Sequence, residues 1–264
     1  MKVTVKDILD KKKRGEKITV LTCYDAMFAK LEEECGIDVL LVGDSLGMIL
    51  LGHKTTRPVT MSEMLHHTKA VNRASRTSLI VADMPYGSYE GGPKEAVVNA
   101  RKLVKEGGAH AVKLEGGSEE CEVISALVKA KIPVMGHLGL LPQSVELYGG
   151  YKVQGRQPAA AKKIFQDAKL LAGLGVFSIV LECVPAQLAK KITKAVKVPT
   201  IGIGAGKDCD GQVLVVNDLL GMSGNSRYQF VREYAKLHGI MKDAIERYVK
   251  DVKTGKFPSP KESF

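Results

Sequence analysis

The sequence predicts a TIM-type (β/α)8 barrel, an α/β fold in a single domain, with extra helices at both ends. Three observations predict it. Eight short apolar runs alternate with helical segments along 264 residues. Most of the runs are near-continuous, as parallel strands covered on both faces are. Polar and ionisable residues then recur at the ends of successive runs, where parallel barrel strands bring their C-terminal ends together.

The expected strands are Ile18–Thr22, Val39–Gly43, Leu79–Ala82, Ala111–Leu114, Pro133–Gly136, Ser178–Leu181, Thr200–Ile203 and Val213–Val216. Between them the expected helices are Asp25–Cys35, stopped by Gly36; Ser62–Ser75, after Pro58 and Thr60; Lys94–Glu106, after Pro93; Ser118–Ala130, with Ser118 as N-cap; Pro158–Ala172, stopped by Gly173; and Ala186–Val196, after Pro185. Proline at the start and glycine at the end is the usual helix asymmetry. The seventh and eighth runs lie too close for a full helix between them. Val5–Lys13 is expected as an extra helix closing the barrel bottom. Beyond the last strand, helices are expected at Tyr228–Leu237 and Met241–Val252, followed by an extended tail over residues 256–264. One domain then covers residues 1–264.

Composition narrows the function classes. Hydrophobic residues make up 45% and charged residues 26%, as in an ordinary folded domain. No apolar run approaches the roughly 18 residues of a membrane helix. The start, MKVTVKDILDKKKRGEK, has no apolar stretch after its charges, so no signal peptide is expected and the location is cytoplasmic. The cysteines (Cys23, Cys35, Cys121, Cys183, Cys209) are scattered and none is spaced CxxC, which argues against a disulfide framework or a zinc cluster. The net charge is +10. Its lysines are spread along the chain, and the densest group, Lys11–Arg14, reads as a solvated helix face. No nucleic-acid motif accompanies them, so no nucleic acid and no membrane is expected as partner.

Chemistry collects at the strand ends. The second run ends in Gly43-Asp44-Ser45, the third leads to Asp83, the fourth carries Lys113 and Glu115, the fifth leads to His137 and the sixth to Glu182. Singly, each has a structural reading: a helix cap for Asp44, Ser45 or Asp83, an ion pair for Lys113 and Glu115, a packed imidazole for His137. Together they call for a cation, because several carboxylates gathered in one place are costly without one. Asp44, Asp83 and Glu115 offer only oxygen, which favours Mg2+ over zinc. Mg2+ with open positions suits a 2-oxo acid, whose carbonyl it polarises. Glu182 is then the candidate base. Ser45 can donate to a substrate carboxylate or cap a helix, and the spacing leaves both open. Lys113 can pair with an anionic ligand, and His137 can polarise an oxygen or shuttle a proton.

Other motifs are weaker. Gly202–Lys207 (GIGAGK) lacks the first glycine and the final Ser/Thr of a phosphate loop, and reads as close backbone packing at the mouth. Tyr148–Arg156 (YGGYKVQGR) is a candidate lid.

The segments TCYDA, LLVGDSLGMILLGH, PVTMSEMLHHTKAV, VADMPYGSY, AVKLEGG, PVMGHLGLLPQS, GGYKVQGR, LECVP and TIGIGAG resemble those of the ketopantoate hydroxymethyltransferase family, in that family's order. The resemblance implies a Mg2+-dependent barrel that transfers a one-carbon unit from 5,10-methylenetetrahydrofolate to 3-methyl-2-oxobutanoate, giving 2-dehydropantoate for pantothenate and coenzyme A. It implies Asp44, Asp83 and Glu115 as the metal set, and Asp44, Ser45, Asp83 and Lys113 as holders of the 2-oxo acid. It makes Glu182 the proton acceptor, places His137 in the substrate site, and implies a homodecamer. Met222–Gln229 departs from the family pattern. The rival reading is another Mg2+-dependent enolate barrel of the phosphoenolpyruvate mutase and isocitrate lyase type, whose lyases carry a KKCGH-like loop that this sequence lacks.

Overall fold

The computed structural model describes residues 2–148, 150, 152–223 and 228–264. It divides into two compact units, Met1–Leu214 and Val215–Phe264.

The first unit is a closed barrel of parallel strands in chain order. Helix α1 (Val5–Arg14) opens it, with a Thr4–Asp7 capping box at one end and left-handed Gly15 at the other. Strand β1 (Ile18–Thr22), helix α2 (Ala26–Glu34), strand β2 (Val39–Val42) and the short α3 (Leu46–Ile49) follow. Next come α4 (Met61–Ala74), β3 (Leu79–Asp83), α5 (Pro93–Lys105) and β4 (Ala111–Glu115). Then α6 (Cys121–Lys129), β5 (Val134–Gly139), α7 (Pro158–Leu174), β6 (Ser178–Glu182), α8 (Ala186–Ala195), β7 (Thr200–Ile203) and β8 (Gly211–Leu214) complete the ring. β1 closes it against β8, with Ile18 opposite Gly211.

The expected barrel therefore forms, with local corrections. β8 starts two residues before the expected Val213, because Gly211 pairs with both Ile18 and Ile201. Ser118 does not cap α6. It lies in a 3-10 turn (Ser118–Glu120), and α6 starts at Cys121 with no side-chain cap. α7 runs through Gly173 and ends at left-handed Gly175. As expected, no helix separates β7 from β8: residues 204–210 form turns and bends.

The strand period of two decides where the site lies. Ile18, Val20, Val39, Leu41, Leu79, Val81, Ala111, Met135, Val180, Ile201 and Val213 belong to one buried cluster with Ile8 of α1. Two residues beyond Val81 is Asp83, two beyond Ala111 is Lys113, two beyond Met135 is His137, and two beyond Val180 is Glu182. The same inward parity that builds an apolar lower barrel thus builds a polar upper layer. At the opposite end, α1 is held by Lys11–Asp38 at 2.6 Å and Lys12–Asp210 at 2.7 Å. Lys11 and Lys12 are thus ion-paired and largely covered, while Lys13 and Arg14 are exposed, so only half of the group forms the expected solvated face. Asp38 and Asp210 each also accept a backbone N–H, from Thr19 and Thr200.

The second unit contains α9 (Val216–Leu219) and α10 (Leu237–Lys253). The helix expected at Tyr228–Leu237 does not form. The N–H groups of Tyr234 and Leu237 donate to the Leu219 and Leu220 carbonyls at the end of α9, not to a preceding turn of their own. α10 instead begins at Leu237. The tail is not extended throughout: Pro260–Glu262 forms a 3-10 turn with a Ser259–Glu262 capping box. Among the described residues no helix is long and apolar enough to cross a membrane.

Candidate active site

The C-terminal ends of β2 to β6 carry the site. Strand register sets Asp83 beside Lys113, Glu115 beside His137, and Gly139 beside Glu182. The acids expected just past their strands are the final strand residues in β3, β4 and β6, so their backbones are fixed by the ladder. β5 runs three residues further than expected, to Gly139. There φ is +99°, and a Cβ would run into the Glu182 carbonyl oxygen. Without a side chain at 139, Leu140 N–H reaches that oxygen at 2.8 Å and pins the end of β6.

Asp44, Asp83, Lys113, Glu115 and His137 are all buried. Asp44 N–H donates to Asp83 Oδ2 at 3.1 Å. Lys113 Nζ lies 3.1 Å from Asp83 Oδ1 and 3.5 Å from His137 Nδ1. Lys113 therefore pairs with Asp83 more closely than with the expected Glu115. His137 stands between two carboxylates, with Nδ1 3.5 Å from Glu115 Oε1 and Nε2 3.1 Å from Glu182 Oε2. The Nε2 contact is an ion pair without hydrogen-bond geometry. Glu182 is the most open of the acids, its side chain 13% exposed.

Ser45 opens α3 but makes no side-chain cap. Its Oγ lies 2.8 Å from the hydroxyl of Tyr24. Tyr24 is itself buried, and its carbonyl meets His67 Nδ1 at 2.7 Å. The capping reading of Ser45 therefore fails, and its hydroxyl pairs with Tyr24 instead.

Electrostatics follow from this packing. Burial, then Asp83 and Glu115, hold the Asp44 carboxyl well above the ordinary carboxylate range, against Lys113 and Gln143. Burial lowers the Lys113 pKa, but Asp83, Glu115 and Asp44 outweigh it and raise it. Burial and Lys113 lower that of His137, yet its two flanking carboxylates carry it up to about 9. With Lys113 and His137 charged, two cations face four carboxylates, Asp44, Asp83, Glu115 and Glu182. Fully ionised, the four acids exceed the two cations by two charges, the charge of a divalent cation with opposite sign. The raised Asp44 carboxyl is the site's response to that excess when no cation offsets it. All four carboxylates are hard oxygen donors. Among the described residues no three acidic, His or Cys side chains form a ready ligand cluster. Asp44 Oδ2 is taken by Gln143 and Asp83 Oδ1 by Lys113. The arrangement fits a cation with few protein ligands and several positions left to water or substrate, as Mg2+ prefers.

Two buried residues were missed from the sequence. Gln143, in the 3-10 segment Pro142–Tyr148 after β5, donates through Nε2 to Asp44 Oδ2 at 2.7 Å. Tyr89 donates to Gln143 Oε1 at 2.6 Å. The Pro-Gln-Ser of PVMGHLGLLPQS is the only sequence signal for the first, and Tyr89 lies just past VADMPYGS. The candidate lid Tyr148–Arg156 includes residues 149 and 151, and Met222–Gln229 includes residues 224–227; these lie outside the described residues. Gly202–Lys207 does pack closely. At Gly206, where φ is +83°, an added Cβ would clash with Ala186 of α8.

A protein of Carboxydothermus hydrogenoformans named 3-methyl-2-oxobutanoate hydroxymethyltransferase is 55% identical over 263 residues, covering 100% of this chain and 95% of its own. One of that name from Syntrophus aciditrophicus is 53% identical, covering 100% and 97%. Among solved structures, phosphonopyruvate hydrolase in complex with oxalate and Mg2+ aligns with a TM-score of 0.62 at 14% identity, over 99% of this chain and 93% of its own. A 2,3-dimethylmalate lyase of the PEP mutase/isocitrate lyase superfamily aligns at 0.63 and 15%, over 98% and 93%. At such identity the likeness is one of fold, so the rival enolate-barrel reading shares the architecture and not the sequence. The family model described as ketopantoate hydroxymethyltransferase matches residues 2–260. The chain belongs to the ketopantoate hydroxymethyltransferase family.

Proposed function

We propose that this chain, as one catalytic domain over residues 1–264, transfers a hydroxymethyl group from 5,10-methylenetetrahydrofolate to 3-methyl-2-oxobutanoate, giving 2-dehydropantoate in pantothenate synthesis. Family membership supports the reaction. The observation that carries the site assignment is the gathering of four carboxyl groups, Asp44, Asp83, Glu115 and Glu182, around only two cationic side chains, Lys113 and His137. Asp44 and Asp83 would hold Mg2+, with Glu115 completing the set directly or through water. When bound, that ion supplies Lewis acidity toward the 2-oxo acid's oxygens. Lys113 and Ser45 would bind the substrate carboxylate, Lys113 by charge and Ser45 by its hydroxyl. Glu182 takes the proton from C3, and the C–H electron pair becomes the enolate. Water hydrolyses the donor's methylene bridge, breaking its two C–N bonds to release tetrahydrofolate and formaldehyde. The enolate carbon attacks that aldehyde carbon, whose oxygen takes a proton to become the new hydroxyl. His137 Nε2 pairs by charge with Glu182 Oε2 at 3.1 Å, which leaves Oε1 for the proton. Lying between Glu182 and Glu115, the charged imidazole also keeps two acids from repelling each other. Cytoplasmic location and a decamer go with the family reading.

The test is exchange of the C3 proton of 3-methyl-2-oxobutanoate into deuterated water, without the folate. Wild type with Mg2+ exchanges, and Glu182→Gln loses about 10²- to 10⁴-fold in rate. Exchange at the wild-type rate in Glu182→Gln removes Glu182 from the base role.

A further inference from the structure

We propose that Gln143 is a positioning residue that sets the Asp44 and Glu115 carboxylates for a bound divalent cation, with Tyr89 locking its amide. The proposal rests on the reading of those acids as cation ligands given above.

Gln143 and Tyr89 are 2% and 3% exposed. Both polar groups of the glutamine side chain, and its backbone N–H, have partners. Nε2 donates to Asp44 Oδ2 at 2.7 Å and to the Met84 carbonyl at 3.0 Å. Oε1 accepts from Tyr89 OH at 2.6 Å. The backbone N–H donates to Glu115 Oε2 at 3.1 Å. One residue therefore grips carboxylates that start from β2 and β4, and it does so from the segment after β5.

The amide has only one workable orientation. Flipped, Oε1 would face the Met84 carbonyl and the Asp44 carboxylate, both acceptors, and Nε2 would face the hydroxyl that now donates. The Met84 carbonyl and the Asp44 carboxylate fix that choice, and the Tyr89 hydroxyl holds it by donating to Oε1. Being neutral, the amide binds Asp44 without cancelling its charge. A lysine in its place would form a buried pair and remove part of the negative surplus that a cation needs. With Oδ2 committed to Gln143, Asp44 can present Oδ1 to a ligand. Groups that orient ligand side chains in this way typically carry about 10- to 100-fold in metal affinity.

The experiment is Mn2+ and Mg2+ titration of metal-free full-length protein by calorimetry, with melting temperature alongside. Gln143→Met keeps the side chain's length and removes its donors and acceptor. It is expected to weaken binding about 10- to 100-fold. Tyr89→Phe removes only the lock and is expected to weaken it several-fold, and the double variant matches Gln143→Met because both act through one amide. A structural role alone lowers the melting temperature and leaves the affinity at its wild-type value, and that result in either folded variant overturns the proposal. Should Gln143→Met not fold, Tyr89→Phe decides by the same criterion. If wild type itself binds neither ion, the cation reading of the site fails and this proposal with it.

Discussion

At the bottom of the barrel Lys11 meets Asp38 and Lys12 meets Asp210, one cation to one carboxylate. Each of those acids also accepts a strand N–H, so the pairs close the barrel floor and balance their own charge. At the mouth, four carboxylates share Lys113 and His137. The same inward-facing strand positions are apolar below and charged above. The lower end is arranged for stability. The upper end holds charge that the fold alone does not neutralise, as functional sites commonly do.

The largest effect that would sharpen the contrast comes from removing one lysine at each end. Lys113→Met strands Asp83 in a buried setting and is expected to destabilise metal-free protein by about 3–5 kcal/mol. Lys12→Met, at a pair its solvent partly screens, should cost about 1 kcal/mol. Equal losses in denaturant titration would break the comparison.

Next, neutralising one acid should act with opposite sign at the two ends. Asp44→Asn relieves like-charge crowding and burial, and is expected to stabilise metal-free protein by about 1–3 kcal/mol while abolishing C3 exchange. Asp210→Asn loses the Lys12 pair and weakens the bond to Thr200, and is expected to destabilise by about 1 kcal/mol. A loss of stability in Asp44→Asn would contradict the surplus of negative charge at the mouth.

Neighbouring residues of α2 repeat the contrast on a smaller scale. Glu32 is buried with no hydrogen-bond partner for either oxygen. Burial, then Asp25, pushes its carboxyl up to about 8. Glu33 accepts from Ser75 Oγ and the N–H groups of Arg76, Thr77 and Ser78, which outweigh its partial burial and hold it down to about 2. Their pH effects oppose each other. Glu32 favours the folded state when protonated, so its contribution is complete below pH 4.5 and is lost as pH rises through about 8. Glu33's contribution is present above 4.5 and is lost as pH falls through about 2. Glu32→Gln should therefore stabilise by about 1–2 kcal/mol at pH 8 and by little at pH 4. Glu33→Gln should destabilise across that range.

The last contrast is the pH slope of stability at the mouth. His137 is charged in the fold and its pKa is raised from 6.5 to about 9, so its contribution is whole below pH 6.5 and fades as pH rises through about 9. His137→Gln should flatten that part of the curve.

The alternation of apolar runs and helical segments determined the barrel, because periodicity and chain order suffice when strands pair with their sequence neighbours. The candidate acids were visible for the same reason, since parallel strands must end together. Helix ends were less legible: Gly173 and Gly175 both suit a stop, and tertiary packing chose the second. Likewise YQFVREYAKL has helix-forming residues, but the N–H groups of Tyr234 and Leu237 go to the Leu219 and Leu220 carbonyls at the end of α9. Only the folded chain decided the partners within the site. Gln143 meets Asp44 from 99 residues away, and Lys113 pairs with Asp83, not with Glu115 two positions along. Such pairings depend on register, twist and side-chain reach across a closed ring, none of which has a local signature. Residue types along the chain therefore determined that charge would gather at the mouth. How that charge divides between pairs and surplus is a property of distances, and distances exist only in three dimensions.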